Sequence, residues 1–336
     1  MINASAWRIG MAYSASLLAW SVHGRAHPFS ASFAVTNACN IHCSYCSCPS
    51  LDKGMLPMSE VHTLLDRLRT LGVRRLGLLG GEPLVRHDVA QIIAAARQRQ
   101  MFVSVNSNLL LYAQLGERLA QADLIFTSLD GRAEVHKANR GADSWDGILP
   151  AIDDLRRRGK PVVAICVLTE KNLGDVEWLL DLARSHGFRM HFQPRCSDAE
   201  IVHGSLPHDL DDVSYRAAWT RLVAHKRAGA PLASSLAYLQ FIAQWPDYRA
   251  SAVQIPGQRC AAGRGFLFVD PLGNAWPCAY TKGIMAPANL LTADWRNHFD
   301  GQTPCSDCSV GPMAEFNLLF RKPLRSSLDA LRSYNL

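Results

Sequence analysis

Runs that read as β-strands alternate with runs that read as α-helices from residue 31 to about residue 195, and no other feature of the chain limits its fold as tightly. The strands fall near 31–36, 74–79, 101–106, 123–129, 162–168 and 188–193, with helices between them near 58–71, 87–99, 109–121, 147–158 and 173–186. Glu60 to Leu71 sets apolar residues three and four apart and stops at Gly72, the pattern and terminator of an amphipathic helix. Val162 to Leu168 is an unbroken apolar run, which suits a buried parallel strand. Strand–helix units in series imply an α/β fold with a parallel sheet and right-handed crossovers. At 336 residues, 48% hydrophobic and 19% charged, the chain is a soluble globular protein of one large or two modest domains.

The first expected strand ends in a cysteine triplet, Cys39, Cys43 and Cys46, within Cys-Asn-Ile-His-Cys-Ser-Tyr-Cys. Three thiolates so spaced can hold three irons of a cubane cluster and leave the fourth open to a small molecule, where a ferredoxin would add a fourth cysteine. Cys48 follows beside Pro49 and fits no ferredoxin spacing. Zinc is the alternative, with His42 available to complete four ligands. The second strand runs into Gly80-Gly81-Glu82-Pro83, where two glycines permit close backbone approach to a ligand and a carboxylate suits an ammonium. A third motif reads Thr127-Ser128-Leu129-Asp130-Gly131, then His136, then Arg140-Gly141.

Together these motifs resemble the radical SAM superfamily. The resemblance implies a partial (β/α)6 barrel with ligands at the C-terminal strand ends. It implies a [4Fe–4S] cluster on Cys39, Cys43 and Cys46 whose open iron chelates S-adenosylmethionine (SAM), with Tyr45 part of the same pattern. Gly80, Gly81, Glu82 and Pro83 would cradle the methionyl ammonium. Asn106, Asn108, Ser128 and Asp130 are further expected contacts, although Asn106 to Asn108 stands where many relatives carry Thr-Asn-Gly. Reductive cleavage of SAM would yield a 5′-deoxyadenosyl radical that abstracts a substrate hydrogen. Candidate catalytic or substrate-contacting residues are Asp130, His191, Gln193, Arg195 and Cys196, with Arg264 a possible partner for a carboxylate or phosphate.

A second cysteine set lies near the C-terminus. Cys260, Gly273 and Cys278 stand in a C-x12-G-x4-C pattern, followed by Cys305 and Cys308. Phe266 to Trp276 reads as a β-hairpin turning at Asp270 to Asn274, which brings Cys260 and Cys278 together. The set resembles the SPASM and Twitch modules of radical SAM enzymes, which implies an auxiliary [4Fe–4S] cluster on Cys260, Cys278, Cys305 and Cys308. Four-thiolate zinc is again the alternative. Full ligation suits electron transfer, and so a net oxidation in which the auxiliary cluster accepts an electron.

The expected organisation is an N-terminal helical segment (1–28), the barrel (29–196), a helical bridge (197–255) and the auxiliary module (256–336). The net charge of +6 is scattered, and its one run, Arg156 to Arg158, closes a helix, so no nucleic-acid surface is expected. Ten cysteines in clusters suit metal ligation in a reducing cytoplasm. Trp7, Met11, Leu18 and Val22 recur at helical spacing, for packing or for contact with a membrane surface or lipid. Only about 30 residues precede the first strand, short for a leader-binding domain, which favours a small-molecule substrate and an external reductase, flavodoxin or ferredoxin as electron donor. The alternatives are a ribosomal-peptide maturase served by a separate leader-binding protein, adenosyl transfer to an isoprenoid lipid, and a non-enzymatic iron–sulfur or zinc scaffold.

Overall fold

Strands β1 (Ser30–Thr36), β2 (Arg75–Gly80), β3 (Phe102–Asn106), β4 (Leu124–Ser128), β5 (Val162–Leu168) and β6 (Arg189–Pro194) lie side by side in chain order, each pair parallel. Helices α1 (Met58–Leu71), α2 (Val89–Gln98), α3 (Tyr112–Leu115), α4 (Ala133–Arg140), α5 (Trp145–Arg157) and α6 (Val176–His186) lie between them. This is the expected partial barrel. The computed structural model describes residue 14 and residues 27–44, 46–48, 51–196, 211–299 and 303–321. Nearly all of the expected N-terminal segment, Tyr45, and residues 197–210 of the expected bridge lie outside the described residues.

Strand alternation assigns the two faces of the sheet. Phe33, Leu76, Leu78, Val103, Val105 and Ile125 point outward into one core shared with the helices, and none is measurably exposed. Burial at this level contributes about 1.5–3 kcal/mol per large side chain. The inner face is more polar. Ser32, Gly77 and Ser104 stand in register across β1, β2 and β3, and Ser128, Ile165 and His191 form a row across β4, β5 and β6.

Two helices differ from expectation. The helix expected near 109–121 is only α3, followed by a 3-10 turn at Gly116–Leu119. A side chain at Gly116 would strike the Tyr112 ring, and glycine is a weak helix former. Helix α4 was not expected at all. Its sequence is mostly polar, so it carries no apolar period, yet it ends on Gly141 in the left-handed conformation (φ +68°).

Beyond β6 come α7 (Asp212–Arg227), capped by Asp211 on the Val213 and Ser214 amides, and α8 (Leu236–Ala243), capped by Ser235. The segment before α8 covers the β6 edge: Met190 donates to Pro231 and accepts from Ala233. The C-terminal module holds β7 (Ala252–Val253), the hairpin β8 (Phe266–Val269) and β9 (Asn274–Trp276), β10 (Ala288–Asn289), α9 (Trp295–His298), β11 (Asp307–Cys308) and α10 (Gly311–Arg321). Strand β8 pairs in parallel with β1 and β10 pairs with β9, so the hairpin and β10 extend the barrel sheet to nine strands among the described residues. The hairpin turns where expected: Asp270 Oδ1 accepts from the Leu272 and Asn274 amides, each at 2.9 Å, and Gly273 supplies the positive φ.

Candidate active site

The loop carrying Cys39, Cys43 and Cys46 is pinned by both other barrel motifs. Gly81 N donates to Thr36 O and Glu82 N to Ala38 O, each at 2.8 Å. A Cβ on Gly80 would lie 2.1 Å from Thr36 O, and one on Gly81 2.1 Å from Ala38 O, so this approach requires glycine at both positions. On the other side Ser44 N donates to Asn139 O at 3.1 Å, and Gly141 sits so close to the His42 carbonyl that a Cβ would lie 2.3 Å from it. Cys39 and Cys43 are half-buried and Cys46 is exposed. Burial pushes the Cys39 and Cys43 thiols up, while the Arg140 guanidinium opposes that shift at Cys43. Iron would remove those protons outright.

Glu82 is buried, and its carboxylate accepts from Leu84 N at 3.0 Å, Ser107 Oγ at 2.7 Å and Asn108 N at 2.7 Å. Desolvation pushes its pKa up against those three donors. A carboxylate offers about four lone-pair sites, so one further donor, such as an ammonium, fits. The β3 loop that supplies two of these donors holds Leu109 at φ +60°, an uncommon conformation for a branched residue. Asn108 Nδ2 reaches Asn40 Oδ1 in the cysteine loop at 2.8 Å. Ser107 had no sequence signal beyond its place between two named asparagines.

Asp130 is fully buried and grips Arg140 with both oxygens, at 2.6 and 3.1 Å, while also accepting from Val167 N at 2.9 Å. Helix α4 places His136 and Arg140 four residues apart on one face. His136 Nδ1 accepts from Asp130 N at 3.2 Å, and Nε2 lies 2.8 Å from Ser144 Oγ. Burial drops the His136 pKa to about 4, so the ring is neutral. Asn172 ties the same corner, donating to Asp130 O and Val167 O, each at 2.8 Å. The third motif therefore braces the cysteine loop through Arg140 and Gly141, with Asp130 holding the arginine.

The second thiol set converges in the C-terminal module. Cys260, Cys278 and Cys308 are buried and Cys305 is half-buried. Cys260 and Cys278 join Phe29, Phe266 and Phe320 in one small core. Cys305 hydrogen-bonds Cys260; that bond holds the Cys260 thiol down and, with burial and the charges of the other thiols, pushes Cys305 up. Burial pushes Cys278 up to about 12. Backbone N–H groups aim at these sulfurs: Ala262 at Cys260, Tyr280 and Thr281 at Cys278, and Val310 at Cys308. Among the described residues no three His, Cys, Asp or Glu side chains form a single-ion site. A cubane sets its thiolates on separate corners and accepts hydrogen bonds at sulfur, so the donor set fits it. Asn317 Nδ2, buried beside Cys260 without an acceptor, fits the same group.

His191 and Gln193 lie on the inner face of β6, where the start of α10 meets them. A Cβ on Gly311 would be 2.7 Å from His191 Nε2 and 3.1 Å from Gln193 Oε1. His191 Nδ1 bonds Ser234 Oγ at 2.9 Å, its Nε2 is buried without a partner, and burial lowers its pKa to about 4. Arg195 and Cys196 follow the strand and are half-buried. Asn106 is exposed and Ser128 half-buried at the ends of β3 and β4. Cys48 lies 3.6 Å from Gly80 O, Cys166 is buried on the outer face beside Asp130, and Arg264 is half-buried in the turn before β8.

Residues 33–183 match the profile of the Radical SAM superfamily. The mycofactocin maturase MftC of Mycobacterium ulcerans is 27% identical over 282 residues, covering 80% of this chain and 73% of that protein. The chain spans 65% of the Mycobacterium tuberculosis MftC. The PqqA peptide cyclase of Granulibacter bethesdensis is 29% identical over 261 residues, covering 73% and 66%. The AdoMet-dependent heme synthase of Methanosarcina barkeri is 25% identical over 292 residues, covering 81% and 79%. Streptococcus suis SuiB bound to its precursor peptide SuiA superposes with a TM-score of 0.67 at 16% identity, covering 89% of this chain and 71% of SuiB. The motifs, the barrel and these matches agree on a radical SAM domain over residues 33–183, the domain of [4Fe–4S]- and SAM-dependent enzymes.

Proposed function

We propose that this protein oxidises a peptide side chain, with Cys39, Cys43 and Cys46 holding the SAM cluster and Cys260, Cys278, Cys305 and Cys308 an auxiliary one. When bound, the first cluster and SAM supply the radical that removes one hydrogen atom, and the second cluster supplies the acceptor for the electron released with a proton. Glu82 meets the SAM ammonium, and the Asp130–Arg140 pair fixes the cysteine loop. Ser128 and Gln193 present polar groups to the substrate on the inner face, and His191 lies buried beneath them against the start of α10. One observation carries the oxidative reading. Gly311, three residues after Cys308, seats against His191 and Gln193, so the auxiliary thiols join directly to the substrate-facing strand.

The comparisons support a peptide in place of the expected small molecule: one relative is named a peptide cyclase and SuiB binds a precursor peptide. The heme synthase match supports a small-molecule substrate as second reading. Anaerobic reconstitution tests the clusters, with about eight irons expected and about four after Cys39, Cys43 and Cys46 are changed to Ala. A wild type holding only four, all lost in the variant, would remove the auxiliary cluster from the mechanism. Formation of 5′-deoxyadenosine from SAM and dithionite is then compared with candidate peptides and with porphyrins. Stimulation by a peptide that loses two hydrogens supports the proposal, and stimulation by porphyrins alone overturns it.

A further inference from the structure

Asn317 projects from α10 toward the auxiliary thiols and is 1% exposed. Its Oδ1 accepts from Ala261 N at 2.9 Å and from the Cys260 thiol at 3.4 Å. The Ala261 bond fixes the sense of the amide, because a flipped side chain would set N–H against N–H. Nδ2 is then left buried with no acceptor. A buried amide donor without a partner is costly, and each such group calls for an acceptor or another reason. Ligation sharpens the point. A Cys260 thiolate has no proton to give Oδ1, and the negative charge beside the amide calls for a donor.

We propose that Asn317 Nδ2 donates a hydrogen bond to sulfur of the auxiliary cluster at its Cys260 edge, and that this raises the reduction potential of the cluster. The inference rests on the reading that Cys260, Cys278, Cys305 and Cys308 hold an iron–sulfur cluster. Reduction adds negative charge to the sulfurs, so a donor stabilises the reduced state more than the oxidised one. The backbone donors from Ala262, Tyr280, Thr281 and Val310 act in the same direction but carry no side chain to alter. Asn317 adds to them from the helix whose first residue touches His191. Asn317 is a positioning residue, acting on the electron acceptor and not on the substrate.

The test uses the full chain carrying Cys39→Ala, Cys43→Ala and Cys46→Ala, so that only the auxiliary cluster is present. Asn317→Leu keeps the side-chain volume and removes the donor. The expected result is unchanged iron content with a midpoint potential shifted to more negative values in an EPR-monitored titration. A second measurement leaves the site intact: with selectively 15N-labelled asparagine, pulsed EPR of the reduced cluster should show a nitrogen coupling that Asn317→Leu abolishes. Should the variant fail to load iron, the labelled parent chain decides. Full iron content with an unmoved potential, or no asparagine coupling in the parent, overturns this inference alone. A parent chain that binds no iron overturns the cluster reading and this inference with it.

Discussion

Removing the Asp130 carboxylate would leave the Arg140 guanidinium, 11% exposed at its side chain, without its buried partner. Breaking a buried pair from one side costs about 3–5 kcal/mol, so Asp130→Ala should lower the unfolding free energy by that much and bring the urea midpoint down with it. An undiminished midpoint would mean that the pair does not brace the cysteine loop. His136 adds a pH signature. Its folded pKa of about 4 lies below the ordinary 6.5, so its contribution is complete above pH 6.5 and is lost as pH falls toward 4. Between pH 6.5 and 5 the wild type should lose about 2 kcal/mol more than His136→Gln. Parallel pH profiles of unfolding for the two chains would contradict the neutral, buried ring. Sequence spacing named Asp130, His136 and Arg140 but not their work. Asp130 read as a polar group at the barrel mouth, because nothing in a linear pattern says that a carboxylate's acceptor sites are filled from within.

The elements follow a similar division. Helix α1 and strand β5 take the expected bounds, because apolar periodicity and Gly72 mark one and an unbroken apolar run the other. Helix α4 escaped notice because its buried face is made of His136, Asn139 and Arg140, polar residues that hydrophobic patterning does not count. Helix α10 runs between the barrel and the loop of the auxiliary thiols, with a contact at each end. Gly311 meets His191, and Arg321 pairs with Asp307 and bonds the Ser306 carbonyl. A methyl group at Gly311 must displace the helix or the imidazole, at about 1–3 kcal/mol for overpacking. Gly311→Ala should therefore lower auxiliary-cluster iron and leave the SAM cluster loaded, as read by iron content with and without the Cys39, Cys43 and Cys46 changes. Equal loading of both clusters in Gly311→Ala would show that α10 does not position the auxiliary thiols.

At the scale of the molecule, the hairpin of the C-terminal module is part of the barrel sheet. Strand β8 covers the β1 edge from Ser30 to Phe33, and Phe29 packs with Phe266 and Phe320. A chain ending before residue 256 would expose that edge and strip one wall of the core. Exposed parallel edges template association, so the truncated chain should elute as aggregates in size-exclusion chromatography. A monomeric, folded product would show that the barrel stands alone. Among the described residues no helix is long and apolar enough to cross a membrane.

The sequence alone determined the βα alternation, the three barrel motifs, the hairpin and the two thiol sets, because each is written in local periodicity or in short spacing. Only the tertiary structure decided which groups answer one another. It set Asp130 on Arg140, closed Glu82 with Ser107 and Asn108, joined β8 to β1, and left Asn317 facing the auxiliary thiols. Those pairings join residues far apart in the chain, and they depend on burial and hydrogen-bond geometry that a one-dimensional pattern does not carry.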